Sequence, residues 1–259
     1  MRLLTLICLV LLSSCSQEPE VVTGPFVFKN GITYDQTTNE PITGIVEEFY
    51  ENGRLKVRQY YKDGKEDGLH EGFYTNGQLE FRQTYKDKKL DGWWERYHIN
   101  GQLGFRINYK DGKLDGLWEQ YYKNGLLRQR ETYKDLKREG LYENFYPNGQ
   151  LQHIGKFKDG KDDGLWETYY KDGQLQHRIN YVDGKKDGLT ERFWEDGQLH
   201  YRGNYEDGKE DGLWERSYKG QLTKRENYKD GELNGLWESF DGEGNLTKTV
   251  TYENGVEVE

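Results

Sequence analysis

From Phe26 onward the apolar and aromatic residues fall in short runs broken by Gly-containing dipeptides, and no run keeps the three-to-four spacing of an amphipathic helix. The breaks are periodic. Gly44, Gly68, Gly92, Gly116, Gly140, Gly164, Gly188 and Gly212 stand 24 residues apart, and Gly235 follows after 23. One copy, Gly116 to Glu139, reads Gly-Leu-Trp-Glu-Gln-Tyr-Tyr-Lys-Asn-Gly-Leu-Leu-Arg-Gln-Arg-Glu-Thr-Tyr-Lys-Asp-Leu-Lys-Arg-Glu. Each copy holds two runs and two turns. The first turn is Asn-Gly or Asp-Gly, as at Asn52-Gly53, Asn100-Gly101, Asn124-Gly125 and Asp172-Gly173, and the second is Asp-Gly, as at Asp63-Gly64, Asp159-Gly160 and Asp207-Gly208. Asn-Gly is a strong hairpin signal, because both central residues of a two-residue type I′ turn need positive φ. The pattern predicts an all-β fold: an elongated antiparallel β-hairpin meander of tandem 24-residue repeats with two strands each. About nine repeats fill residues 44–259, behind a lead-in hairpin over 24–43.

Taking Asn124 and Gly125 as the two loop residues sets Tyr122 opposite Leu127 and Glu119 opposite Arg130. Strand alternation then places Trp118, Tyr122, Leu127 and Tyr133 on one face and Glu119, Tyr121 and Arg130 on the other. The first set recurs as Trp94, Trp166, Trp214 and Trp237 and as Tyr170, so this aromatic face is expected to be the packed one. The second set recurs as Glu95, Glu167, Arg106 and Arg178, within a Glu row that holds one position from Glu47 to Glu238. Such a row reads as a cross-strand ladder of partly exposed ion pairs that also disfavours slipped registers. An active site has no reason to recur in every copy. The eighth copy, Tyr218-Lys219-Gly220-Gln221, is one residue short, and the spacing of Leu222, Arg225 and Tyr228 puts the loss inside the turn.

Composition adds two constraints. Hydrophobic content is only 33%, yet aromatics reach 15% at fixed spacing, so a thin core is expected rather than disorder. The formal charge of −9, with Lys and Arg spread evenly, leaves no basic face for phosphates and disfavours nucleic acid.

The first residues, Met1 to Leu12, form one positive charge followed by an apolar run too short to span a bilayer. They end in Leu12-Ser13-Ser14-Cys15, which resembles the bacterial lipobox. That resemblance implies a signal peptide over 1–14, lipidation of Cys15, a tether over 15–23 and, with Ser16 after the Cys, an outer-membrane destination. Cys8 leaves with the signal and Cys15 is acylated, so no disulfide is expected.

The repeat itself, Gly-Leu-Trp-Glu-x-Tyr-Tyr-x-Asn-Gly-Gln-Leu followed by Tyr-Lys-Asp-Gly-Lys-x-Asp-Gly, resembles the variant MORN repeat over roughly residues 26–255. The lead-in Tyr34 to Gly44, with Phe49-Tyr50-Glu51-Asn52-Gly53, resembles bacterial YwqK-type proteins. The first likeness implies stacked hairpins used for interaction and no catalytic residues. The second implies an antitoxin or immunity-type partner role. Lys88 and Leu136 in place of the second-turn Gly, and Thr190 in place of the Trp, depart from the pattern.

The sequence shows no set of residues spaced for catalysis. The five histidines are scattered, no pair has metal-ligand spacing, and no Ser/His/Asp or Cys/His set is present. His70 and His98 occupy aromatic repeat positions, as packing substitutes would. The Asp-Gly-Lys-x-Asp-Gly runs lack the alternating ligands of a calcium loop and are accounted for as turns. The chain is therefore expected to be non-enzymatic, without cofactor or metal: a lipid-anchored envelope scaffold for a protein partner. The alternatives are a cell-wall glycan binder, since rows of Trp and Tyr stack on sugars, and an immunity-type partner.

Overall fold

The computed structural model describes residues 19–258; the signal-like segment, with Cys8 and the expected lipidation site Cys15, lies outside them. The described residues are all-β, without a helix. Phe26–Lys29 and Ile32–Asp35 pair as a separate two-stranded hairpin. Twenty strands, from Gly44–Phe49 to Val256–Val258, form one antiparallel sheet in which the strands pair in chain order, except that Lys161–Asp162 and Gly164–Tyr169 both pair with Leu151–Lys158. Closing it into a barrel would need a ladder between the Gly44–Phe49 and Val256–Val258 strands. The free side of Gly44–Phe49 is taken instead: Val22 N–H donates to Ile45 O and Ile45 N–H to Glu20 O, both at 2.8 Å. Val256–Val258 pairs with Leu246–Glu253 alone, so the meander is an open ribbon. It is one layer thick. The chain exposes 17082 Å², where a compact globule of its mass would expose roughly 12,000 Å².

The two turns exchange the roles that the sequence assigns to them. Type I′ geometry belongs to the second turn: Asp111 (φ 49°) and Gly112 (φ 79°) are the two residues between Lys110 and Lys113, which are direct partners. At the first turn only the glycine, Gly125, has positive φ. Gly125 N–H donates to Tyr122 O at 2.9 Å and Tyr122 N–H to Leu126 O at 2.8 Å. This is a three-residue loop, a tight turn followed by a left-handed glycine. Asn124 contributes through its side chain, whose Oδ1 accepts from Leu126 N–H at 3.1 Å. The longer loop makes Tyr121, not Tyr122, the partner of Leu127; a bulge before Gln129 then restores the offset, and Glu119 stands opposite Arg130. In the eighth copy Lys219 and Gly220 both have positive φ and Tyr218 pairs with Gln221, so the missing residue has turned a three-residue loop into a two-residue one.

Consecutive repeats are clasped along both edges of the ribbon. On the first-turn edge a Tyr hydroxyl donates to the carbonyl 23 residues on: Tyr50 to Phe73 at 2.6 Å, Tyr74 to Tyr97 at 2.8 Å, Tyr122 to Phe145 at 2.7 Å, Tyr146 to Tyr169 and Tyr170 to Phe193 at 2.9 Å. On the other edge the second-turn N–H reaches back one repeat, as from Gly112 to Leu90 O at 2.7 Å and from Gly208 to Lys186 O at 2.8 Å. Leu136 sits in this second-turn row at φ 68°, a conformation that costs a side-chain-bearing residue about 1 kcal/mol, and its side chain is exposed. Leu136→Gly should therefore raise stability by about 1 kcal/mol, read from urea unfolding; a loss of stability would show that the leucine side chain packs in a way that its exposure conceals.

Candidate interaction faces

On the strand Lys113–Tyr121, Leu117, Glu119 and Tyr121 point to one side and Trp118 and Gln120 to the other. Because the inner strands that carry the Glu and Arg rows are paired on both sides, the Glu–Arg register does not stop at each hairpin. It runs as one line across the sheet: Glu95, Arg106, Glu119, Arg130 and Glu143 are successive direct partners. A guanidinium in that line has a carboxylate on each side and bonds the better placed one. Arg130 donates to Glu119 Oε1 at 2.9 Å and reaches Glu143 at 3.3 Å. Arg106 and Arg178 turn to Glu119 and Glu191 of the following hairpin instead of their own-hairpin partners Glu95 and Glu167. The sequence-based pairing within each hairpin is thus corrected for these two. The line is interrupted at Ile154, which stands between Glu143 and Glu167. Glu167 there accepts from the Tyr169 hydroxyl at 2.7 Å, and burial together with that carboxylate pushes the phenol up to about 12.

A second correction concerns which face is shielded. Glu119 was expected to be partly exposed, but only 1% of it is accessible, whereas Trp118 is half-buried. The cause is local cover. Arg106 lies over the Trp93 ring at 4.8 Å while bonding Glu119, and the Tyr121 hydroxyl closes the other side at 2.8 Å. Arg stems shield what their heads bind. Burial raises the Glu119 carboxyl, but the bonds from Arg106, Tyr121 and Arg130 together hold it below its ordinary value.

The opposite face carries Trp94, Trp118, Trp166, Trp214 and Trp237. Trp214 is fully buried and the others half-buried. Trp166 and Trp214 lie flat against the cross-strand glycines Gly155 and Gly203, where an added Cβ would come within 2.2 Å of the ring. Tyr122 and Tyr170 belong to neither face; both stand at the turn edge as clasps. His70 takes the Trp position and meets Phe81 edge-on at 5.1 Å. Thr190, also at that position, is buried against His177 at 3.0 Å.

Three features escape the sequence reading. Two carboxylates are buried among the tryptophans: Glu131 takes Arg138 at 2.9 Å, and Glu226 takes Arg216 at 2.7 Å. Their signal was a charged residue in a row otherwise filled by Gln, Ile, Gly and Val. In the last five copies the leucine after the repeat glycine forms an exposed line beside the Glu row: Leu141, Leu165 (51% accessible), Leu189, Leu213 and Leu236. A cavity of about 440 Å³ opens at the first-turn edge around His98 and Gly104. Among the described residues no three His, Cys, Asp or Glu gather as a metal ion would require.

No curated protein matches the chain. Solved structures that resemble it include "Crystal Structure of TcdB2-TccC3-Cdc42" and "Crystal Structure of TcdB2-TccC3", each 12% identical with a TM-score of 0.21. Each likeness covers 88% of this chain but only 17% and 16% of those chains, so this chain spans about a sixth of their length. The MORN repeat variant model matches residues 42–63, 66–87, 114–135, 138–159, 162–183, 186–207 and 233–254. The two long intervals between matches, 88–113 and 208–232, hold the copy with His98 and Gly104 and the copy with the shortened turn. With seven matched segments covering more than half of its length and hairpins repeating at the same interval, the chain belongs to the MORN repeat variant family.

Proposed function

We propose that this protein is a non-catalytic scaffold, lipid-anchored at the bacterial envelope through Cys15, that holds a protein partner along the leucine line of its sheet. The observation that carries the reading is the spacing of that line. Leu165, Leu189, Leu213 and Leu236 recur on alternate strands of one face, about 9.6 Å apart, and remain exposed. Single exposed leucines are ordinary, whereas a series aligned at fixed spacing, with Asn180, Asn204 and Asn227 on the strands between, offers a partner regularly repeated apolar footholds in a polar frame. The ion line beside it supplies a charged border, and burial keeps Glu119 and Glu215 from competing for solvent. The lipobox-like Leu12-Ser13-Ser14-Cys15 supports the envelope anchor, while the YwqK-type lead-in suggests an immunity-type partner, a role that the lipoprotein signal does not favour.

The test has two arms. Leu165→Lys with Leu189→Lys should leave the melting midpoint within a few degrees, because both side chains are exposed, yet abolish site-specific crosslinks formed in cells from Leu213. Cys15→Ser should move the protein out of the membrane fraction. Undiminished crosslinks from the leucine variant would remove the proposed surface, and unchanged fractionation of the serine variant would remove the anchor.

A further inference from the structure

The copy that begins at Gly92 differs from its neighbours at two positions that meet in space. His98 occupies the row in which Tyr50, Tyr74, Tyr122, Tyr146 and Tyr170 clasp the next repeat, and makes no such bond to Tyr121 O. Gly104 occupies a row that carries Lys56, Glu80, Arg128, Gln152 and Gln176 elsewhere. A Cβ there would lie 3.2 Å from Arg96 O and 3.3 Å from the His98 ring. One copy has therefore lost both a clasp and a side chain at the same place, and the cavity of about 440 Å³ is what remains. That is within the size range of small-molecule sites, roughly 300–1,000 Å³.

Its chemistry is unlike the rest of the surface. Arg96, Lys123 and Arg128 line it and no carboxylate does, on a chain with nine surplus negative charges. Arg96 is held by Glu80 at 3.3 Å outside the lining. Arg128 has no carboxylate within ion-pair reach among the described residues, and its guanidinium stands 5.9 Å from the Tyr122 ring centre. The hydroxyls of Tyr74 and Tyr122 are committed to backbone carbonyls, which fixes those rings as walls. Phe105 adds a third ring. The His98 Nε2 is buried and has no hydrogen-bond partner. A buried polar atom without a partner is costly, and a ligand hydroxyl would satisfy it.

The geometry points to a binding site for a carboxylate-bearing sugar. The rings would receive the C–H face of the sugar, Arg128 would take its carboxylate in a charge-assisted bond, and His98 would take a hydroxyl. A free sugar acid and a uronic or muramic unit of an envelope polymer present the same chemistry. The inference does not depend on the leucine line, which lies elsewhere on the sheet, so the two readings fail separately.

Titration calorimetry of the full chain with glucuronate, glucose and acetate reads the site directly. Glucuronate should bind at least tenfold more tightly than glucose, which lacks the carboxylate, and than acetate, which lacks the ring. Arg128→Gln, the residue found at 152 and 176, should weaken glucuronate at least tenfold without moving the melting midpoint. His98→Tyr should restore the clasp to Tyr121 O, raise the midpoint and abolish binding. N-Acetylmuramate and a soluble peptidoglycan fragment, run beside glucuronate, separate the free sugar acid from the polymer unit by which binds more tightly. The inference is overturned if no sugar acid binds at millimolar concentration, if acetate binds as well as glucuronate, or if Arg128→Gln and His98→Tyr bind like the parent.

Discussion

Removing residues 116–127 should break the array, whereas removing residues 116–139 should leave a folded protein one hairpin shorter. The longer deletion joins Asp115 to Gly140, so that Arg106 faces Glu143 where it faced Glu119, and the clasps on both edges find equivalent partners. In a repeat array stability is close to a sum of unit and neighbour terms, so one unit and one interface are lost. The shorter deletion joins Asp115 to Arg128. Arg128 then enters the place of Gly116, whose φ is 112°, and Arg130 the place of Trp118. Two second-type turns follow one another, so every later first turn lands on the edge built of second turns. The tyrosine clasps cannot form across that fault. The combined loss should be on the order of 5 kcal/mol or more, and urea unfolding should split into two steps. Indistinguishable unfolding curves for the two deletions would show that the 24-residue unit is not the structural quantum.

Trp214→Ala should be the most damaging single substitution on the aromatic face, at about 3–5 kcal/mol, because only 2% of the ring is accessible and Gly203 beneath it cannot fill the void. Trp118→Ala should cost roughly 2 kcal/mol, since that ring is half-buried. Glu119→Gln should cost about 2–3 kcal/mol, comparable to or above Trp118→Ala, as three donors lose a charged acceptor inside a covered site. The pH dependence carries the same signature. The folded-state value of Glu119 lies below its ordinary 4.5, so its contribution is complete above that value and fades as the pH falls through the lower folded-state value. Glu119→Gln should remove part of this acid-side loss. A cost below 1 kcal/mol with an unchanged acid limb would return Glu119 to the role of an exposed surface pair.

The period, the number of strands and the Glu119–Arg130 register were legible because each depends only on recurrence. The register was reached by a route that the structure replaces. A two-residue loop and a three-residue loop followed by a one-residue bulge give the same sum, so Asn124-Gly125 could not distinguish them from sequence. Burial was misjudged for a different reason. In a single-layer sheet no second layer decides which side is inside, and cover depends on cross-strand neighbours: the guanidinium of Arg106 over Trp93, or Gly203 beneath Trp214. Such pairs join residues of adjacent strands and leave no periodic trace. The cavity at His98 and Gly104 was visible as two departures from the repeat, but their adjacency required the turn geometry.

The ion line has a consequence at the level of the gene. Outside the copies that carry Ile154 and Thr249, a copy gained or lost by unequal crossing-over presents a carboxylate row to an arginine row, so its new neighbours accept it. Inheritance in whole units should therefore be nearly neutral for folding, and ribbon length should vary freely among descendants of one ancestral array. A frame-preserving loss of a single codon is tolerated only in a turn, where the eighth copy has already recorded one. Within a strand the same event would invert both faces, and selection should have erased it.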